Sequence, residues 1–143
     1  MENAIKKAGE IIRERSAFGT YRANLYCVLS QTGLDGRLTS SVITPSRADG
    51  IQWITFGTGL QSNKAKRIER DDRACVCFAA DEYGIALRGR LEILTDAASK
   101  NENWYDGLAN HFSGPDDPGY CVLKFHTETY SLFVDWEETV GAL

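Results

Sequence analysis

Long apolar runs are missing from this 143-residue chain, and no segment approaches the ~18 consecutive apolar residues of a membrane-spanning helix. Residues 1–15 are charged and amphipathic rather than apolar, so neither a secretory leader nor a membrane anchor is expected. Positive charge is also short. Sixteen Lys and Arg face twenty Asp and Glu, for a net charge of −4. That balance excludes the basic footprint of a nucleic-acid-binding domain. Histidine occurs only at 111 and 126, and each is expected to cap or pack rather than catalyse. The four cysteines, Cys27, Cys75, Cys77 and Cys121, form no CxxC and no Cys/His ligand spacing, so no metal centre is expected. Free thiols fit a reducing compartment, and a cytoplasmic location is expected. Cys75 and Cys77 share one face of a strand and read as small core residues.

What is present is concentrated between Ile51 and Phe78, IQWITFGTGLQSNKAKRIERDDRACVCF. Aromatic and β-branched residues from Ile51 to Phe56 predict a strand. Gly57 and Gly59 bracket Thr58, so the backbone can turn sharply and present its amides. Ser62 or Asn63 is placed to cap a short basic helix beginning at Lys64. A helix start offers unpaired N–H groups and partial positive charge, which favour an anion. Thr58 and Ser62 add hydroxyls, and Lys64 and Lys66 add full charges. The pattern is not a P-loop, because Asn63 precedes the lysine and Ala65 follows it. From chemistry alone two readings stand: a phosphate site, or a glycine turn running into a solvated basic helix.

The length suggests one domain spanning residues 1–143. A helix is predicted over Asn3–Arg15, where Ala4, Ile5, Ala8, Ile11 and Ile12 form one apolar stripe, with Ser16–Thr20 ending it. Strands follow at Leu25–Ser30 and Arg37–Thr44, joined by a turn containing Asp35-Gly36. Pro45 is expected to stop the second strand, and Asp49-Gly50 to turn into the Ile51 strand, giving three consecutive antiparallel strands. Ala74–Ala79 reads as a buried strand and Ile85–Leu94 as a strand bent or bulged at Gly89. Asp96–His111 reads as one helix with Trp104 and Leu108 on one face. Gly114–Gly119 is a loop flanked by Phe112 and Tyr120 and placed to cover a ligand cleft. Tyr120–Phe125 and Tyr130–Val134 read as two final strands joined by a polar turn. Six or seven strands on short connections, with two or three helices, predict a mainly β, antiparallel barrel or sandwich.

Four pieces of this chain resemble the FMN-binding split-barrel flavoproteins related to pyridoxamine 5′-phosphate oxidase, in particular their general-stress-protein branch. They are GRLTSSVIT (36–44), WITFGTGLQSNKAKRI with ERDDRACVCF (53–78), IALRGRLEIL (85–94) and FSGPDDPGYCVLKF (112–125). The resemblance implies a six-stranded antiparallel split β-barrel that forms a homodimer, with FMN between subunits. It implies that Thr58, Ser62, Asn63 and Lys64 hold the FMN phosphate. It implies that Ser41, Val42, Ile43 and Thr44 line the ribityl chain and the isoalloxazine. Two positions depart from the family: Ser41 and Asn63 stand where arginine is frequent. Both changes remove positive charge and imply a weaker grip or a different flavin-like ligand. The C-terminal segment with which the true oxidases grip pyridoxal phosphate has no counterpart, so that reaction is not expected.

The function implied is an FMN-dependent oxidoreductase of an unknown small substrate. A non-catalytic flavin-binding or sensing module uses the same cradle, and a barrel holding haem or a deazaflavin uses the same groove. No catalytic residue is assigned. Trp53, Trp104 and Trp136 are expected in the core or at a dimer interface.

Overall fold

The computed structural model describes residues 2–19 and 26–143. Thr20, at the expected helix end, and Leu25, the expected first residue of a strand, lie outside the described residues. The first helix, α1 (Glu2–Glu14), forms where its apolar stripe predicts, and Ala8 and Ile12 on that stripe are fully buried. Strands β1 (Cys27–Thr32) and β2 (Leu38–Ile43) make the first hairpin. Strands β3 (Pro45–Asp49) and β4 (Trp53–Gly59) make the second. Helix α2 (Asn63–Arg70) leads into β5 (Arg73–Ala80) and β6 (Tyr83–Leu94). Helix α3 (Ala97–Glu102) and a 3-10 turn (Asp106–Asn110) precede β7 (Tyr120–Val134) and β8 (Glu137–Ala142).

All pairings are antiparallel, in the order β2-β1-β5-β6-β7-β4-β3, with β8 also on β7. The two ends of that order, β2 and β3, are separated in the chain by Thr44 alone. Seven strands laid flat would span about 28 Å at ~4.8 Å per strand. Two Cα steps reach no more than about 7.6 Å. The sheet therefore curls until its edges meet, which makes a split barrel. Counting β2 and β3 as one bent strand, the barrel has the six strands implied by the resemblance, and β8 is an addition. The barrel interior is filled by Val76, Phe78, Ile85, Leu87 and Leu132, each at most 1% exposed. α1 plugs one side of this core.

Several expectations are corrected. Pro45 ends β2 but also begins β3, so β2 pairs with β1 and not with the Ile51 strand. β5 is buried on one face only. Ala74, Val76 and Phe78 point inward, whereas Cys75 and Cys77 are exposed, so these thiols are not core residues. The expected helix from Asp96 to His111 breaks at Asn103. Its amide nitrogen bonds the Ser99 carbonyl at 2.8 Å, and its carbonyl oxygen accepts from the Thr55 hydroxyl at 2.5 Å. That side chain competes for the last helical carbonyls and stitches the helix end to β4. The expected turn between Phe125 and Tyr130 is absent, because β7 runs unbroken through it. Thr127 is buried there, its hydroxyl bonding the Ile51 carbonyl at 2.5 Å, while His126 and Glu128 alternate outward. β8 was not foreseen, since its hairpin turns at Asp135 and Trp136, both at positive φ (54° and 64°) without a glycine. Trp136 itself is 75% exposed.

The irregularity expected at Gly89 is found: the β6–β7 register shifts between Arg88 and Gly89. A Cβ at Gly89 would overlap the His126 carbonyl and lie 3.1 Å from Thr127 Cα. Gly89→Ala is therefore expected to cost about 3 kcal/mol or more, as a backbone clash in a central strand does. Urea unfolding will show this as a lower midpoint at unchanged slope. A loss below about 1 kcal/mol would mean that the ladder relaxes around the methyl.

Candidate functional site

The sharp turn expected at Gly57–Gly59 is not formed there: β4 stays paired with β7 through Gly59, and the chain turns at residues 60–62 before α2. Gly57 lies under the 3-10 turn, where a Cβ would come within 2.8 Å of the Leu108 side chain. Its missing side chain lets that segment close over the end of β4. Thr58 donates to the Ser62 hydroxyl at 3.3 Å, and Ser62 caps α2 by accepting from the Ala65 amide at 3.3 Å. Ser62 has extended backbone angles (φ −68°, ψ 159°), as an N-cap requires. The first turn of α2 is anchored from below. Ala65 is fully buried, and Gln31 of β1, 3% exposed, donates to the Lys64 carbonyl at 3.0 Å.

These elements border a cleft of about 610 Å³. One wall carries Val42, Ile43 and Thr44, where β2 passes into β3; another carries Gly57, Thr58, Gly59 and Lys64. The third wall comes from the segment after α3, with Tyr105, Leu108, His111 and Phe112, and Tyr26 completes the rim. Burial raises the Tyr105 pKa. The aromatic wall is supported from behind by Tyr120, whose ring packs 5.4 Å from both Trp104 and Phe112.

Electrostatically the cleft has one sign. No Asp or Glu is among its lining residues, in a chain with twenty of them. Lys64 is its one full charge, and among the described residues its ammonium has no carboxylate partner. Partial burial, and then the nearby Arg67, lower its pKa from 10.5. An ammonium held partly out of water without a counter-ion, beside hydroxyls and turn amides, is a receptor for an anion.

Of the residues singled out in the sequence, Val42, Ile43, Thr44, Thr58 and Lys64 converge on this cleft. Ser62 stands behind them as the helix cap, and Asn63 is exposed at the first position of α2; neither is among the lining residues. Ser41 faces inward on β2, its hydroxyl buried and without a hydrogen-bond partner among the described residues. Tyr105, Leu108 and the aromatic wall were not anticipated as site residues. The one signal in the sequence was the flanking of the Gly114–Gly119 loop by Phe112. The loop itself contributes no lining residue, whereas Phe112 does. His126 lies elsewhere, exposed and 2.7 Å from Glu92.

The sequence profile of the family described as "Pyridoxamine 5'-phosphate oxidase like" matches residues 21–141. No curated protein is matched by the sequence. Among solved structures, the chain is similar to a protein from Clostridium acetobutylicum related to general stress protein 26 of B. subtilis. The TM-score is 0.81 at 23% identity, covering 100% of this chain and 96% of that one. General stress protein 26 from Bacillus anthracis gives a TM-score of 0.78 at 23% identity, covering 97% and 98%. A heme binding protein from Mycobacterium smegmatis gives 0.71 at 13% identity, covering 97% of this chain and 57% of that one. At these identities the structural likenesses establish the fold.

Replacing the cap tests how far the turn depends on it. Ser62→Ala is expected to destabilise the protein by about 1 kcal/mol, the usual cost of losing a serine N-cap. Ser62→Asp, which can cap equally well, should retain most of that stability in the same urea titration.

Proposed function

Because the chain belongs to the pyridoxamine 5′-phosphate oxidase-like family, we propose that its cleft binds FMN and that the protein is an FMN-dependent oxidoreductase acting on a small substrate. The observation that carries this reading is the Lys64 ammonium, without a carboxylate partner among the described residues, in a cleft with no carboxylate among its lining residues. The residues present fit the group. The cleft volume of about 610 Å³ falls in the range of small-molecule cofactor sites. The orphaned Ser41 hydroxyl and the cap at Ser62 lie on the two elements that flank its polar end.

Lys64, Thr58 and the end of β4 would hold the phosphate, with Ser62 and Asn63 at the helix start behind them. Ser62 accepts from Thr58 and from the Ala65 amide, which leaves its own proton free to donate. Ser41, Val42, Ile43 and Thr44 would line the ribityl chain and ring. Leu108 and Phe112 would keep water from the apolar wall. When bound, the flavin supplies the electron transfer, and the protein supplies position and electrostatics. A haem ligand is the second reading, favoured by His111 in the cleft wall and by the heme binding neighbour.

The purified protein is expected to show flavin absorption, directly or after incubation with FMN. A haem Soret band in its place would favour the second reading. Lys64→Ala should weaken FMN by roughly tenfold or more, the value of one charge-assisted bond, and leave riboflavin almost unchanged. Because the Lys64 pKa lies below 10.5, FMN affinity is full at neutral pH and falls as pH rises through that lowered value. Lys64→Arg should abolish the alkaline fall, since a guanidinium does not deprotonate there. Equal loss of FMN and riboflavin in Lys64→Ala would remove the phosphate from the reading.

The reading includes a homodimer, supported by the outer face of the barrel. The strand registers set Val42, Val28, Cys77, Ala86, Ser131 and Val140 in one continuous row across six strands. Val42 and Val140 are 62% and 61% exposed, an apolar belt that solvent disfavours. Val42 also lines the cleft, so a second copy on the belt would approach the cleft mouth. Sedimentation is expected to give a dimer at micromolar concentration, and Val28→Glu with Val42→Glu a folded monomer. A wild-type monomer would overturn this part of the proposal.

A further inference from the structure

The Gly114–Gly119 loop joins no wall of the cleft, yet it is the most heavily bonded loop near it. The Asp117 carboxylate accepts from the Ser113 amide at 2.9 Å, the Ser113 hydroxyl at 3.2 Å and the Gly119 amide at 2.8 Å. Lys100 of α3 lies behind it, only 8% exposed, and its ammonium donates to the Asp117 carbonyl at 2.8 Å. The Tyr120 hydroxyl bonds the Lys100 carbonyl at 3.0 Å, so the lysine is held at both ends of its residue. A nearly buried ammonium is costly unless compensated. Its placement against one loop residue therefore calls for a role.

That role is visible one residue further on. The Gly119 carbonyl accepts the Leu60 amide at 2.8 Å, and Tyr120 pairs with Gly59 at the end of β4. Leu60 is the residue that carries the chain from the end of β4 towards the Ser62 cap, and the Ser62 amide in turn bonds the Gly59 carbonyl at 3.0 Å. The path Lys100–Asp117–Gly119–Leu60 is continuous, each step a hydrogen bond or one loop turn. Its far end joins the end of β4, where Gly57, Thr58 and Gly59 line the cleft.

We infer that Lys100 and Asp117 are positioning residues, a clamp that sets the 60–62 turn, and with it the junction of β4 and α2, in its anion-binding geometry without touching the ligand. The inference rests on reading that turn as the phosphate end of the cleft. It assigns the loop a purpose other than covering: the two prolines and Asp117 make a rigid post, and Lys100 fastens the post to α3. Riboflavin lacks the phosphate, so loosening the turn should affect FMN and spare riboflavin, which a general loss of structure would not do.

The test uses Lys100→Met, which keeps most of the buried volume, and Asp117→Asn, which keeps shape and one acceptor. Amide hydrogen exchange of residues 57–63 is measured without ligand, and affinities for FMN and riboflavin are measured in parallel. In both variants exchange of the Leu60 and Ser62 amides is expected to rise about tenfold or more. The preference for FMN over riboflavin should fall about tenfold, with riboflavin affinity changed by less than about threefold. Unchanged exchange at Leu60, or FMN and riboflavin weakening together, would overturn the clamp. Should the wild type bind neither flavin, the FMN reading fails on its own, and inorganic phosphate becomes the probe. Phosphate must then slow exchange over 57–63 in the wild type and not in the variants, and failure of that difference overturns the clamp as well.

Discussion

Between Ile43 and Pro45 the chain has one residue in which to pass from one edge of its sheet to the other. That covalent constraint governs the rest. It forbids a flat sheet, forces the strands to curl, and fixes where the seam of the barrel lies. At the seam the ladder is interrupted, and Thr44 has backbone and side chain to spare for something other than strand pairing. It lines the cleft together with Tyr105. The end of β4 arrives at the same place, because β4 is the neighbour of β3 and both hairpin strands are short. The cleft is thus a consequence of closure: the passage from β2 to β3, the end of β4 and the segment after α3 meet at the seam and leave a concavity between them.

Charge is distributed around that concavity with a clear asymmetry. The outer rims of the barrel carry paired ions: Asp71 holds Arg73, and Asp72 and Glu128 share Arg90. Such exposed pairs stabilise little. They do keep carboxylates occupied on the far face of the sheet and the α2–β5 turn. Lys64 is left without such a partner, at a position where its pKa is already lowered by burial. An acidic protein repels an anion over much of its surface, and a cleft with no carboxylate among its lining residues is a region where that repulsion is weaker at close range.

Local signals in the sequence were readable where the physics is local. The helix cap at Ser62, the stripe of α1, the Asp35-Gly36 turn and the irregularity at Gly89 each depend on a few adjacent residues, and each is found. The polar end of the cleft was legible for the same reason, since Thr58 and Lys64 sit in one short stretch. What was not legible depends on distant partners. Asn103 ends α3 because Thr55, 48 residues away, receives its side chain. β7 continues through HTET because Thr127 meets Ile51, 76 residues away. The exposure of Cys75 and Cys77 follows from which face of β5 the barrel encloses, and apolar composition alone does not reveal a face. The aromatic wall of the cleft combines both failures: it lies beyond a helix break that no local signal marks, and it is seated by the missing side chain of Gly57.

Two lysines show how the same group serves different ends. Lys100 is almost buried, bonded to a carbonyl, and stacked within 5.5 Å of the Tyr120 ring. Its charge is consumed by the fold, since carbonyl and aromatic face replace the water it lost. Lys64 is less buried, yet the structure offers its ammonium no comparable acceptor among the described residues. Had its burial been merely structural, a carboxylate or carbonyl would be the ordinary compensation, as at Lys100. The uncompensated charge is the one that opens onto the cleft, and the compensated one lies behind the loop that braces the same turn. Position in the fold, rather than residue type, separates the charge that holds the protein together from the charge left for a ligand.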